Sequence, residues 1–211
     1  MTPNSMNTLS MTKNVWLFFT ALIVFSSGLA NSAELPTAKT MHKDDEAISI
    51  AKELKLEGHM EGGFFRRTYE SGHRENLKTP DGERFLMTSI YYMLTHYSPI
   101  GHWHLNKSDI IHYYHMGDPI EYTMIYPDGK IETQVMGSNV LAGEKLQLTV
   151  KGGIWKTSRL LAKEKGYGLI SEAVSPGFDY ADMTLGSKTN ILKRFPQHET
   201  LVRKFLKPAE K

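Results

Sequence analysis

Between Gly62 and about Leu185, apolar residues alternate with polar ones, a period of two that is typical of β-strands. These runs are rich in Tyr, Phe, Ile, Val and Thr, and short turn-forming segments separate them. The turn segments are Pro80-Asp81-Gly82, Gly117-Asp118-Pro119, Pro127-Asp128-Gly129, Gly152-Gly153 and Ser175-Pro176-Gly177. The pattern predicts roughly nine or ten short strands, which indicates an all-β sandwich or barrel and not a parallel α/β fold.

A helical period appears on either side of this region. Acidic residues at 44–46 favour a helix N-terminus there, and Gly58 ends the pattern. The apolar stripe of this first helix is formed by Ala47, Ile50, Ala51 and Leu54. A last helix is predicted after Pro196, and its buried face is formed by Leu201, Val202, Phe205 and Leu206. We expect one domain over residues 43–211, preceded by a polar lead-in of residues 34–42.

The first 33 residues differ in character from the rest of the chain. Lys13 is the only charged residue before Glu34, and an apolar run at 15–25 and small residues up to Ala33 follow it. This order predicts a secretory signal peptide over residues 1–33, with cleavage after Ala33 favoured over two earlier positions. A retained membrane anchor is the alternative, but about 11 apolar residues are short against the roughly 20 of a spanning helix. We expect an exported protein, periplasmic or secreted, with no stable membrane span after cleavage.

Charge and cysteine content narrow the function further. The chain contains 25 Lys and Arg residues and 23 Asp and Glu residues, and this near balance of charge argues against a nucleic-acid-binding protein. The 211-residue chain has no cysteine, so disulfide bonds cannot contribute to stability outside the cell. A hydrophobic content of 40% is sufficient to build a packed core instead.

The stretch from His102 to His115 contains four of the nine histidines. His102 and His104 are two positions apart, so in a regular strand both side chains lie on one face. Asp109 and His112 follow on the next predicted strand. If this face lines the barrel, the four side chains are candidate ligands for Fe, Mn, Zn or Ni. The alternative is a polar lining in which the histidines hydrogen-bond to tyrosines and backbone.

Several blocks of the sequence resemble an uncharacterised RmlC-like branch of the cupin superfamily. The blocks are EGGFFRRTY at 61–69, WHL at 103–105, SDIIH at 108–112, GDPIE at 117–121, GGIWK at 152–156 and SPGFDY at 175–180. The resemblance implies an all-β, double-stranded β-helix jelly roll with short helices at the N- and C-terminal ends. It also implies a homodimer.

The chain departs from the cupin pattern at the positions that bind metal. Ile110 stands where this branch has Glu, so Asp109 is the remaining acidic candidate. Lys156 stands where the second cupin motif ends in a ligand histidine, and Lys151 replaces the proline that opens that motif. A protonated lysine has no lone pair to donate to a metal. The possible metal set is therefore His102, His104, Asp109 and His112, an unusual one.

The same blocks supply candidate ligand-binding residues. Arg66 is expected to project inward beside His104 and to bind an anionic group, or alternatively to pair with Glu61 or Asp118. Aromatic residues of these blocks are candidates for an apolar floor. The full candidate set is His104, Arg66, His112, Tyr114, Trp155, Lys156 and Phe178.

Three functions remain open from the sequence. The leading hypothesis is an exported cupin that binds a small polar or anionic molecule, such as a sugar, in its barrel. The second is a metal-dependent oxygenase or isomerase that uses His102, His104 and His112. The third is a structural dimer with a vestigial pocket. The resemblance alone does not choose a reaction, because one fold hosts many functions.

Overall fold

The computed structural model describes residues 46–161 and 164–208, and the predicted signal peptide and polar lead-in lie outside these residues. The described helices are α1 (Glu46–Glu53), α2 (Lys188–Leu192) and α3 (Glu199–Lys204). The described strands are β1 (Glu57–Gly58), β2 (Phe64–Glu70), β3 (Leu77–Thr79), β4 (Gly82–Arg84), β5 (Thr88–Thr95), β6 (Ile100–Asn106), β7 (Asp109–Gly117), β8 (Ile120–Ile125), β9 (Ile131–Met136), β10 (Gln147–Val150), β11 (Trp155–Leu160), β12 (Tyr167–Ser175) and β13 (Met183–Leu185).

The strands form two antiparallel sheets that face each other as a jelly roll. One sheet has the order β1-β2-β5-β12-β7-β10, and the other has the order β13-β6-β11-β8-β9. The small hairpin β3-β4 lies apart from both sheets. All five predicted turn segments lie between strands or directly after one, so the predicted all-β jelly-roll fold is confirmed.

Alternation along the strands divides each sheet into an inner and an outer face. Between the sheets lies an apolar core, which closes one part of the barrel. Its buried members are Tyr92, Leu94, Ile120, Tyr122, Met124, Met136, Leu148, Val150, Ile154, Leu160 and Ile170. The polar residues described below occupy the remaining part of the same interior.

Helix α1 covers the outer face of the six-stranded sheet, where Ala47 and Ala51 pack against Phe64 and Met93. This is the predicted amphipathic helix, although it ends at Glu53 and not near Gly58. Lys55 has a φ of 53°, a left-handed conformation that stops a helix and turns the chain into β1.

The outer face of the five-stranded sheet is covered by the C-terminal segment. Val202 and Phe205 are buried there, as predicted for the last helix. They contact Trp103, and Trp155 belongs to the same buried cluster, so Trp155 does not form a cavity floor. The preceding helix α2 was not anticipated, because five residues are too few to show a helical period. No helix among the described residues is long and apolar enough to cross a membrane.

Candidate functional site

A small cavity lies between the sheets, beside the apolar core. Its volume of about 30 Å³ holds roughly two water-sized groups. The lining residues are His59, Glu61, Phe65, Arg67, Ile90, His104, Asn106, Ile110, Glu172, Val174 and Phe178. A wider cleft of about 230 Å³ lies outside it and shares two of these residues, Arg67 and Phe178. The guanidinium of Arg67 lies 6.0 Å from the ring centre of Phe178, and this pair lies where the cavity and the cleft adjoin.

His104 and Glu61 form a buried pair at the cavity wall. Nδ1 of His104 lies 2.8 Å from the carbonyl oxygen of His102, and because a carbonyl only accepts, Nδ1 carries the proton. Nε2 then presents a lone pair, and it lies 3.2 Å from Oε2 of Glu61. Two lone pairs repel each other at this distance, so one proton is held between the carboxyl group and the imidazole.

Burial decides which partner carries that shared proton. It raises the pKa of Glu61 from 4.5 to about 7, while the charge of Lys156 opposes part of the rise. Burial also lowers the pKa of His104 well below 6.5, and Lys156 lowers it further. Below neutral pH the proton therefore belongs to Glu61, which can donate it, and His104 is a neutral acceptor.

His59 adds a second neutral imidazole next to Glu61. The backbone N–H of Glu61 donates to Nδ1 of His59 over 3.3 Å, which leaves the ring proton on Nε2. Burial lowers the pKa of His59 to about 4. Its ring also packs edge-on against Phe65, with 4.5 Å between ring centres. His59 is therefore a fixed, uncharged part of the cavity wall.

Lys156 and His112 are also buried in the interior, but they do not line this cavity. Nζ of Lys156 lies 3.4 Å from Nε2 of His112, so the ammonium donates to that nitrogen. Nδ1 of His112 then carries the proton and points toward Oε1 of Glu172 at 3.6 Å, which is longer than a hydrogen bond. Burial lowers the pKa of His112 well below 6.5 and raises that of Glu172.

Strand register brings these residues together from distant parts of the sequence. Lys156 on β11 is the register partner of His104 on β6. In the other, six-stranded sheet, His112 on β7 is the register partner of Glu172 on β12. The charge of Lys156 acts on the carboxyl groups and imidazoles of both sheets. The interior therefore combines one ammonium with imidazole and carboxyl groups from both sheets.

Some polar atoms in this interior have no hydrogen-bond partner among the described residues. They are the Oδ1 atom of Asn106, the hydroxyl of Tyr122 and Nδ1 of His112. Tyr122 is fully buried, and its ring stacks on His112 with 4.8 Å between ring centres. Buried polar atoms are almost always hydrogen-bonded, and Asn106 lines the cavity, so its unpaired Oδ1 favours a site there for a ligand or for water.

His102 does not share the cavity with His104, contrary to the expectation from their spacing. His104 pairs with Lys156, and Gly101 pairs with Ser158. Between these two pairs β6 advances by three residues and β11 by only two, so β6 contains a β-bulge. The extra residue re-aims the strand, so Gly101 faces the interior, where a Cβ would lie 2.4 Å from Oγ of Ser158. Nδ1 of His102 lies instead 3.1 Å from the carbonyl oxygen of Phe205.

Arg66 also points away from the cavity, so its predicted role passes to the neighbouring arginine. The guanidinium of Arg66 lies 5.9 Å from the ring centre of Tyr91, and it forms no ion pair with Glu61 or Asp118 in the described residues. Successive residues of β2 alternate between faces, so Phe65 and Arg67 line the cavity. The prediction that Arg66 points inward was therefore wrong by one position, since Arg67 lines the cavity.

Tyr114 and Asp109 serve structural roles as well. The hydroxyl of Tyr114 donates to the carbonyl oxygen of Gly117 over 2.5 Å, and the ring packs against the apolar core. Asp109 is exposed, and its Oδ1 accepts the backbone N–H of Gly152 over 2.8 Å. This contact ties the start of β7 to the turn before β11. Neither side chain lines the cavity.

The predicted metal set does not converge in the structure. His102 and Asp109 lie away from His104, and Lys156 approaches His112 with a positive charge. Within residues 46–161 and 164–208, no group of three or more His, Cys, Asp or Glu side chains is placed to hold a metal ion. The donor set present does not fit the metal centre that the cupin pattern implies.

Sequence reasoning missed His59 and Glu172, and it treated Glu61 only as a possible partner for Arg66. Glu172 carried a usable signal, because it interrupts an apolar face formed by Ile170 and Val174 on the same strand. An acid at such a position has to be paired or functional. His59 lies in a loop before β2, where the period-two pattern gives no information.

Comparison with known proteins agrees with this fold. The sequence profile of a family described as Cupin superfamily (DUF985) matches residues 48–186. An uncharacterized protein of Saccharomyces cerevisiae, YML079W, is 37% identical over 147 residues, which cover 64% of this chain and 72% of that protein.

Two solved structures are similar along their whole lengths. A hypothetical protein from Leishmania major has a TM-score of 0.71 and 32% identity, and the match covers 77% of this chain and 99% of that one. Protein SO0799 from Shewanella oneidensis has a TM-score of 0.67 and 34% identity, and the match covers 80% of this chain and 100% of that one. Because the family profile spans more than half of the chain, the protein belongs to the cupin superfamily, in the family DUF985.

Proposed function

We propose that this cupin binds a small polar or anionic molecule in the barrel, with an anionic group of the ligand directed toward Lys156. One observation carries the proposal. Two imidazoles and two carboxyl groups line a single buried cavity, those of His59, His104, Glu61 and Glu172, and the unpaired Oδ1 of Asn106 belongs to the same lining. The ammonium of Lys156, the register partner of His104, is buried behind this lining together with His112. Convergent polar groups with shifted pKa values in a cavity are the usual mark of a ligand site.

The charges of the interior favour an anion. Burial keeps His59 and His104 neutral, and it raises the pKa of both Glu61 and Glu172. Below neutral pH, where Glu61 is protonated, the ammonium of Lys156 lies among neutral imidazoles and a neutral carboxyl group. A buried charge needs a partner of opposite sign, and a ligand carboxylate supplies one.

The cavity and the outer cleft together set the size of the ligand. The inner volume of about 30 Å³ accepts a group as small as a carboxylate. The cleft of about 230 Å³ accepts the rest of a small metabolite. Arg67 and Phe178 line both spaces, so they contact the middle of such a ligand. A polar face from Arg67 and an apolar face from Phe178 suit a hydroxy acid or an acidic sugar.

Calorimetric titration tests this proposal. Acetate, lactate and glucuronate are the anionic probes, and glycerol and glucose are neutral controls. We expect at least one anionic probe to bind the wild type with a Kd below about 1 mM, which corresponds to roughly −4 kcal/mol. Lys156→Met and His104→Gln should each abolish that binding.

Two neighbouring residues provide matched controls. His102→Ala changes a histidine of the same strand that bonds to Phe205 outside the cavity, and Arg66→Ala changes the arginine that packs on Tyr91. Both variants should bind the anionic probe as the wild type does. Binding of glucose alone, unaffected by Lys156→Met, would contradict the anionic part of the proposal. No binding of any probe would favour the vestigial-pocket alternative.

We also propose that the protein acts outside the cytoplasm, as its first 33 residues predict. The ligand would then be a small molecule of the periplasm or the medium. We therefore expect the ligand to be a free acid or sugar and not a sugar linked to a nucleotide.

A further inference from the structure

The donors of the interior are the side-chain types that bind metals, yet they share that interior with the buried ammonium of Lys156. His59 and Glu61 come from the segment between β1 and β2, and His104 comes from β6. His112 comes from β7 and Glu172 from β12. The charge of Lys156 lowers the pKa of every one of these five groups. A bound cation acts on its ligands in the same direction.

One pair of donors already has the geometry of a metal site. Nε2 of His104 and Oε2 of Glu61 are 3.2 Å apart. Two ligands of a tetrahedral ion are separated by about 3.3 Å when each lies about 2.0 Å from the metal. Nδ1 of His59 lies 3.7 Å from the same oxygen. What the arrangement lacks is a further lone pair from the neighbouring strand.

Lys156 stands where that lone pair would come from. It is the register partner of His104, and only 2% of its surface is exposed. An ammonium offers three N–H donors and no lone pair, and it repels a cation. The same position therefore withholds a ligand and supplies a positive charge.

We propose that Lys156 is the permanent cation of this site, in place of a divalent metal ion, so that one substitution converts the cavity into a metal site. This inference deepens the proposed function, because a fixed ammonium and not an exchangeable metal receives the anion. It is tested with metal ions alone. Its failure therefore differs from a failure to bind carboxylates.

The experiment is a titration of purified, untagged protein with Zn²⁺, Mn²⁺ and Ni²⁺, followed by calorimetry and by thermal unfolding. Wild-type protein should bind these ions only weakly in the cavity. Lys156→His should bind one equivalent of Zn²⁺ or Ni²⁺ about 100-fold more tightly than the wild type, because imidazole supplies the missing lone pair. Bound metal should also raise its Tm.

Two further variants show where the metal binds. Glu61→Gln added to Lys156→His should remove the gain, because the amide is a poor ligand. Lys145→His adds the same side chain at an exposed position, and it should behave as the wild type does. These variants separate a cavity site from metal bound to surface histidines.

Several results overturn the inference. Stoichiometric metal in wild-type protein that Glu61→Gln or His104→Gln removes would show that Lys156 does not take the metal's place. A folded Lys156→His protein that gains no affinity would do the same. If Lys156→His fails to fold, Lys156→Gln replaces it, and we expect about a tenfold gain from the loss of charge alone. A folded Lys156→Gln protein without any gain would also refute the inference.

Discussion

Replacement of Glu61 by Gln is expected to change how the stability of the protein depends on pH. Glu61 is buried, and its pKa rises from 4.5 to about 7 on folding because of that burial. Its protonated carboxyl donates to His104 across 3.2 Å, and a glutamine amide can donate in the same place. Glu61→Gln therefore imitates the protonated state at every pH.

Proton linkage determines whether the free energy of unfolding rises or falls with pH. Between pH 4.5 and about 7 the folded protein holds a proton on Glu61 that the unfolded chain releases. The stabilisation from this proton is complete below pH 4.5, and it is lost as the pH rises through about 7. Since each factor of ten in proton affinity corresponds to about 1.4 kcal/mol, the loss is about 3 kcal/mol.

The difference between the two proteins isolates this contribution. His59 has its pKa lowered from 6.5 to about 4, which destabilises the fold as the pH falls and so opposes the effect of Glu61. Urea unfolding at pH 5, 6, 7 and 8, followed by tryptophan fluorescence, measures the free energy of both proteins. From pH 5 to 8, wild type should lose about 3 kcal/mol relative to Glu61→Gln.

Glu53→Gln is the matched control, because Glu53 is an exposed carboxylate on α1. Its stability should follow that of the wild type at each pH. A constant difference between wild type and Glu61→Gln over the whole range would refute the shared-proton geometry. It would mean that Glu61 is already ionised in the folded protein at pH 5.

Three other predictions concern the fold and the assembly. Gly101→Ala should destabilise the protein by about 1–3 kcal/mol, because the added Cβ would lie 2.4 Å from Ser158. Gly72→Ala, whose Cβ would lie 3.7 Å from its nearest neighbour, should change the free energy of unfolding little, and urea unfolding compares the two variants. Light scattering should give twice the monomer mass, because the sheets end in open edge strands such as β10, and a strictly monomeric mass at micromolar concentration would contradict a homodimer. Mass spectrometry of the exported protein should place its N-terminus at Glu34, and a retained Lys13 would contradict cleavage.

The fold could be predicted from the sequence because its signals are local and repeated. Alternation of apolar and polar residues, turn segments and family blocks all indicated one jelly roll. The helix after Pro196 was found for the same reason, since Val202 and Phe205 show its period. Helix α2 has five residues, held by a capping box between Ser187 and Asn190, and a span of that length has no period to read.

The site was harder to predict, because it depends on phase and on register. A single bulge in β6 separated His102 from His104, and a one-residue error in phase exchanged Arg66 for Arg67. Pairing of Lys156 with His104 joins residues 52 positions apart, as their register shows. Spacing along the chain contains no information about such contacts.

The ammonium of Lys156 provides the most direct test of the central claim that this cavity binds a small anion. Its buried Nζ can be followed by proton–nitrogen NMR of protein labelled with ¹⁵N-lysine and assigned with Lys156→Met. Titration with the carboxylate that binds most tightly in calorimetry should shift this one ammonium resonance, with the same Kd and without added metal. An ammonium resonance that stays fixed while the carboxylate saturates the protein would contradict the account.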